Sequence, residues 1–209
     1  MFFGSDNQGP VPEAVLEALR VANQGYAASY GADAITLDVV SRIQTLFEAP
    51  NAAVYLAATG TAANTLALAC LCPPWATIYC SPVAHIQEDE CNAPEFFTGG
   101  AKLNLVGSDD KLTPAALEQA ILGTAQGDVH GPQRGPVSLT QITEKGRIYT
   151  LSELSELCAV AKAYDLPVHM DGARFANAIA ALGCSAAEMT WRCGIDALTF
   201  GGTKNGLMG

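Results

Sequence analysis

Charge is what this sequence has least of. Charged residues fill 15% of its 209 positions against 49% for apolar ones, and acids outnumber bases 21 to 11 for a formal net charge of -10. There is no basic stripe, which argues against nucleic acid as a partner. Long apolar runs are missing too: none approaches the roughly 20 residues of a membrane span, so a membrane is not expected. The opening MFFGSDNQGP has no basic segment followed by an apolar core and predicts no signal peptide. Internal repeats and low-complexity linkers are absent. The composition is too apolar for disorder, and the length suits one sizeable core, or one large domain with part of another. So little charge predicts much buried surface, inside a layered core or against other subunits.

Cysteine is present but not patterned. The seven are Cys70, Cys72, Cys80, Cys91, Cys158, Cys184 and Cys193. The number is odd and the spacing irregular. Cys70 and Cys72 form the only close pair, with no second pair or histidine at zinc spacing. The expectation is buried, reduced thiols in a cytoplasmic protein with no metal.

What the chain does have is alternation. Pro12 to Val21 reads as a helix, with apolar Val15, Leu16, Leu19 and Val21. A second helix carries the stripe Leu37, Val40, Ile43, Leu46 and Phe47 and ends near Pro50. AAVYLAA, residues 52–58, reads as a strand, followed by a small-residue helix in TGTAANTLALACL. Further strands are expected at ATIYC, AKLNLVG, GPVSLTQIT, LPVHMD and IDALTFGG. Helices are expected from Pro114 to Leu122, in TLSELSELCAVAKAYD and in ARFANAIAALG. This order predicts an α/β fold: a mostly parallel sheet with helices on both faces. Such sheets bind ligands beyond the carboxyl ends of their strands.

Chemistry-bearing residues stand at those ends. Thr59-Gly60-Thr61 opens a helix, where free backbone N–H groups and a glycine can cradle a phosphate; the plain alternative is a helix cap. Asp171 closes an apolar run, where a carboxylate needs a donor or a cation. It suits the N–H of a protonated heteroaromatic ring, or it caps the next helix and pairs with Arg174. Lys204, in TFGGTKNG, is either an imine-forming amine or an exposed loop cation. His85 suits stacking on a flat cofactor or acid–base work, and His130 is a second candidate base. Either could instead be a satisfied loop histidine. His169, inside a strand, reads as a buried supporting residue. Phosphate cradle, stacking imidazole, ring-nitrogen carboxylate and amine together are the parts needed to hold pyridoxal 5′-phosphate.

The stretches SDN, YGAD, TGTAANTLAL, HIQEDECNAPEFFTGGAKL, TEKGRIYTLSEL, LPVHMDGARFANA and DALTFGGTKNG cover nearly the whole chain in order. Through them the sequence resembles the threonine aldolase branch of the aspartate-aminotransferase-like, fold-type I pyridoxal-phosphate enzymes, a family that also contains β-eliminating lyases. The pairing of HMDGARFANA with GGTKNG about thirty residues later is the specific part of the match.

The resemblance implies Lys204 as the Schiff-base lysine, Asp171 on the pyridine nitrogen and His85 stacked on the ring. It implies Gly60 and Thr61 at the phosphate, and Arg174 near the cofactor oxygen and the substrate carboxylate. Ser5 would help bind that carboxylate, and His85 or His130 would remove the β-hydroxyl proton. Asp89 and Glu90 add acids on the expected substrate side. The implied reaction cleaves a β-hydroxy-α-amino acid such as threonine, allo-threonine or phenylserine to glycine and an aldehyde. β-Elimination or another reaction on the same scaffold is the alternative, and a non-catalytic fragment is a third. Residues 1–209 would form an N-terminal segment and most of the cofactor-binding large domain, without the small C-terminal domain. The implied assembly is a homo-oligomer, a dimer or tetramer.

Overall fold

The computed structural model describes residues 4–208. Its elements are α1 (Glu13–Ala22), α2 (Ala34–Leu46), α3 (Gly60–Leu71), β1 (Thr77–Cys80), α4 (His85–Glu88), α5 (Ala93–Phe97), β2 (Lys102–Leu105), α6 (Pro114–Gly123), β3 (Val137–Thr140), α7 (Leu151–Ala163), β4 (Val168–Gly172), α8 (Phe175–Leu182) and β5 (Ala197–Phe200). The five strands run in the order β2-β1-β3-β4-β5, and all four pairings are parallel. The α/β expectation holds.

Local chemistry explains several helix starts. Thr59, Thr113 and Thr150 each accept a backbone N–H three residues on, and Thr150 forms a reciprocal capping box with Glu153. Pro114 opens α6, where a missing N–H costs nothing. Gly183 ends α8 in a left-handed conformation at φ 63°.

Two apolar clusters sandwich the sheet. The larger joins Leu117 and Ile121 of α6 and Leu154, Leu157 and Cys158 of α7 to Val137, Leu139, Val168 and Met170 of the strands. The smaller joins Leu68 of α3 and Ile86 of α4 to Ile78 and Cys80 of β1. Because side chains alternate along a strand, β4 sends Val168 and Met170 into the large cluster and His169 and Asp171 toward α3. β1 has β2 on one side and β3 on the other, so the strand order reverses direction there, as it does at binding crevices in open α/β sheets.

Residues 52–58 correct one expectation. They form no strand, and Tyr55 and Leu56 are 89% and 67% exposed. A strand requires a hydrogen-bonded neighbour, and among the described residues this segment pairs with none. The α2 stripe is only half covered: Phe47 is buried, Val40 and Ile43 are partly buried, and Leu37 and Leu46 lie open. The seven cysteines are free, four of them buried and Cys70 and Cys91 exposed. Among the described residues no helix is long and apolar enough to cross a membrane.

Candidate active site

A cavity of about 330 Å³ opens at the carboxyl ends of the strands, lined by Thr59, Gly60, Thr61, His85, Asp171 and Lys204 together with Asn7, Asn64, Glu90, Ala173, Thr199, Gly201 and Thr203. Four separate places deliver the first set: the start of α3, the start of α4, the end of β4 and the turn after β5.

At the start of α3 the cap and the cradle coexist. Thr59 Oγ1 accepts from the N–H of Ala62 at 3.1 Å, whereas among the described residues the N–H groups of Gly60 and Thr61 have no acceptor. A Cβ on Gly60 would stand in open space, so the glycine leaves these donors accessible from the cavity.

Asp171 is 4% exposed. Its Oδ1 accepts from the N–H of Ala173 at 2.9 Å and its Oδ2 from Asn64 Nδ2 at 2.8 Å. It does not pair with Arg174, which donates instead to Asp6 through Nε at 2.6 Å and Nη2 at 3.3 Å. Arg174 thus anchors the N-terminal SDN segment, and Asn7 of that segment lines the cavity. The Arg174 guanidinium, assisted by Lys204, holds the Asp6 carboxyl below its usual range despite partial burial.

Below Asp171 lies a buried polar row. His169 Nδ1 meets Ser138 Oγ at 3.0 Å and its Nε2 meets Thr199 Oγ1 at 3.2 Å. Burial pushes its imidazole down to about 4, so it is neutral at physiological pH. This is the supporting role expected of it.

His85 begins α4. Its backbone N–H donates to Glu144 Oε1 at 2.8 Å, and its Nδ1 lies 3.0 Å from Glu90 Oε1. The hydrogen bond to Glu90 raises the His85 pKa, with Asp171 adding to the effect and partial burial and Lys204 opposing it. Burial raises the Glu144 carboxyl as well.

Lys204 sits in a 3-10 turn, Thr203–Asn205, half-buried at the cavity. Its ammonium has no ion-pair partner among the described residues. Gly201, ahead of it, is glycine for a packing reason: a Cβ there would fall 2.7 Å from Ala173 Cα. That close approach brings the turns after β4 and β5 together, and with them Asp171 and Lys204.

The cavity does not collect every expected residue. His130 is exposed in its own loop, its N–H held by Asp128 Oδ1 at 2.8 Å, and it is not among the lining residues. Ser5 is exposed, with its Oγ accepting from the Asn7 N–H at 3.2 Å, and it does not line the cavity either. Asp89 is exposed at the end of α4, while its neighbour Glu90 turns inward. Asn64 and Asn7 lie outside the sequence-based site. A lone amide in the small-residue run of α3 is the signal that could have found Asn64, since asparagine is a poor helix former.

Residues 3–209 match the family model described as beta-eliminating lyase. The chain belongs to that family. Within it, the chain is 45% identical over 206 residues to the low specificity L-threonine aldolase of a Pseudomonas species, covering 98% of this chain and 59% of the relative. It is 27% identical over 189 residues to that of Escherichia coli, covering 90% and 55%. A threonine aldolase structure from Leishmania major superimposes with a TM-score of 0.90 at 28% identity, over 97% of this chain and 58% of that one. An archaeal alanine:glyoxylate aminotransferase, at TM-score 0.60 and 19% identity, shares the aminotransferase-like fold. The chain thus spans about 59% of the length of the first Pseudomonas relative.

Proposed function

We propose that this chain is the cofactor-binding part of a pyridoxal-phosphate-dependent aldolase that cleaves β-hydroxy-α-amino acids, L-threonine or L-allo-threonine among them, to glycine and an aldehyde. The observation that carries the reading is convergence: the open N-terminus of α3, the buried Asp171 carboxylate and the Lys204 amine line one cavity, in a chain 45% identical over 206 residues to a low specificity L-threonine aldolase.

The residues present fit the cofactor. Gly60 and Thr61 offer a phosphate N–H groups that have no acceptor among the described residues. Asp171, already given two donors, is a buried acceptor for a pyridinium N–H. Lys204 is an amine without an ion-pair partner among the described residues, suited to a carbonyl carbon. When bound, the cofactor withdraws electrons from the substrate Cα, which allows the Cα–Cβ bond to break heterolytically.

The chain's own residues do the rest. Asp171 keeps the ring nitrogen protonated, because a nearby carboxylate favours the charged form of a base. Asn64 and the Ala173 N–H fix the direction of that carboxylate. His85 is the imidazole available to take the β-hydroxyl proton. The family resemblance gives the substrate carboxylate to Ser5 and Arg174, which lie outside the cavity lining, with Arg174 bonded to Asp6. Orientation of the substrate by these groups decides which Cα bond breaks. Two exposed and otherwise free thiols, Cys70 and Cys91, support a reducing cytoplasmic setting. Exposed apolar residues on α1 and α2, such as Leu19 and Leu37, support a homo-oligomer.

The test is product analysis of the full-length protein with cofactor and a panel of β-hydroxy amino acids. Stoichiometric glycine and aldehyde are expected. Pyruvate and ammonia in their place would establish β-elimination and overturn the aldolase reading.

A further inference from the structure

Glu90 is a buried acid without an evident structural purpose. It is 3% exposed, and both of its side-chain contacts fall on one oxygen: Oε1 accepts from Asn64 Nδ2 at 2.8 Å and meets His85 Nδ1 at 3.0 Å. Its other oxygen, Oε2, is buried with no partner among the described residues. Burying a carboxylate costs several kcal/mol, recovered only with good pairing and full hydrogen bonding. Half-satisfied as it is, Glu90 is a poor device for stability. Asp89 beside it is exposed, so a solvated acid at the end of α4 was open to this sequence.

The geometry at His85 supplies a purpose. A carboxylate only accepts hydrogen bonds, so the proton between the two groups sits on Nδ1. The neutral ring then has its lone pair on Nε2, which has no partner among the described residues, and the ring lines the cavity. The same Asn64 amide that donates to Glu90 donates its second N–H to Asp171 Oδ2 at 2.8 Å. One carboxamide therefore sets the spacing between the acid that serves a ring nitrogen and the acid that serves the imidazole.

We propose that Glu90 is the positioning residue for His85: it fixes the Nδ1–H tautomer so that Nε2 acts as the base toward the substrate hydroxyl, and Asn64 holds it in register with Asp171. This rests on the aldolase reading. In the step concerned, Nε2 accepts the β-hydroxyl proton while the oxygen forms a carbonyl with Cβ. The Cα–Cβ bonding pair stays with Cα, which is later protonated to give glycine. The imidazolium formed lies against Glu90 and near Asp171, both of which favour it; Lys204, across the cavity, opposes it. Glu144, on the loop after β3, contacts the His85 backbone rather than the ring.

The experiment uses Glu90→Gln and Glu90→Asp in the full-length protein, with and without cofactor. The chain has three histidines, so the His85 signal in ring-labelled material is assigned by its loss in His85→Asn. In wild type it should titrate above the ordinary histidine value of about 6.5. Glu90→Gln should lower that midpoint by about one unit, and Glu90→Asp, with the charge kept and the arm shortened, should fall between. The acid limb of kcat/KM should move down in parallel, with kcat reduced about 10- to 100-fold and KM little changed. In a His85→Asn background Glu90→Gln should cost nothing more.

An unmoved His85 midpoint, or an undiminished cost in the His85→Asn background, overturns the proposal. The two readings fail separately. Wild-type protein that releases no glycine, yet shows the midpoint shift, sinks the aldolase reading and keeps the Glu90–His85 pairing. Wild-type protein that releases glycine while the midpoint stays fixed in Glu90→Gln overturns the pairing alone.

Discussion

The two faces of the sheet use the same five strands for opposite ends. Toward α6 and α7 they present Val137, Leu139, Val168 and Met170, a face without a polar side chain among these positions. Toward α3, beside the apolar Ile78 and Cys80 of β1, strands β3, β4 and β5 present Ser138, His169, Asp171 and Thr199, nearly as buried and all polar. The period of two along a strand makes this division possible within one segment: in VHMDG the residues alternate between packing and chemistry. The polar face is affordable because every member of its central row meets a partner, and because the opposite face supplies the hydrophobic gain. Substitutions on the two faces should therefore fail in different assays.

The largest separation should come from Lys204→Ala. Loss of the amine should reduce aldehyde release at least about 10³-fold, since no other group in the cavity can replace a covalent one. The visible absorption of added cofactor bound through Lys204 should vanish while the thermal midpoint stays near wild type. Retained activity would remove Lys204 from the site altogether.

Met170→Ala is the converse. Met170 is fully buried between His169 and Asp171 in sequence but faces α7. Its truncation should cost about 2–5 kcal/mol in denaturant unfolding with turnover per folded molecule within about twofold. A large loss of kcat at unchanged stability would mean that the two faces are not independent.

Asp171→Asn returns to the polar face. It should lower kcat about 10²-fold, near 3 kcal/mol in transition-state terms, because the ring nitrogen loses its anion. The new amide would also point a donor at the Asn64 donor now bonded to Oδ2. Asn64 can flip to offer its unpartnered Oδ1, but its donor to Glu90 is then lost. The substitution should lower the His85 midpoint as well, because the Asp171 charge that helps raise it is gone. An unchanged His85 titration would argue that the Asp171 carboxylate does not act on His85.

Much of this division was legible in the sequence, for physical reasons. Alternation of β-branched runs with alanine- and leucine-rich segments announced the parallel sheet, and a strand's end is visible wherever an apolar run meets a glycine or an acid. Asp171, Lys204 and Gly60 were found that way. What stayed hidden depends on partners. Residues 52–58 read as a strand because composition records the preference of a segment, while a strand exists only with a neighbour beside it. Asp89 and Glu90 are indistinguishable in sequence; the single turn of α4 decides which of them faces Asn64. His85 and His130 were equal candidates until the loop of His130 placed it outside the cavity. One of the two readings of Asp171 paired it with Arg174, which instead holds Asp6, 168 positions away in sequence.

The smallest expected effect tests the boundary between the faces. Glu144 sits beyond β3 with Oε1 on the His85 N–H and Oε2 buried without a partner among the described residues. Burial raises its pKa above the ordinary 4.5. A carboxyl harder to ionise in the folded state makes the unfolded chain the readier proton donor, so stability falls as pH rises from about that ordinary value through the folded one. Below that window the carboxyl is protonated in both states and the penalty is absent. Glu144→Gln keeps a carbonyl for the His85 N–H and removes the charge. The variant should therefore match wild type near pH 4 and exceed it at pH 7 to 8 by less than about 1 kcal/mol, the group being only partly screened from water. Thermal midpoints across that range measure it. If the difference between the two proteins is the same at every pH, the Glu144 charge is not what the fold holds at a cost, and the loop after β3 belongs with the packing face rather than with the site.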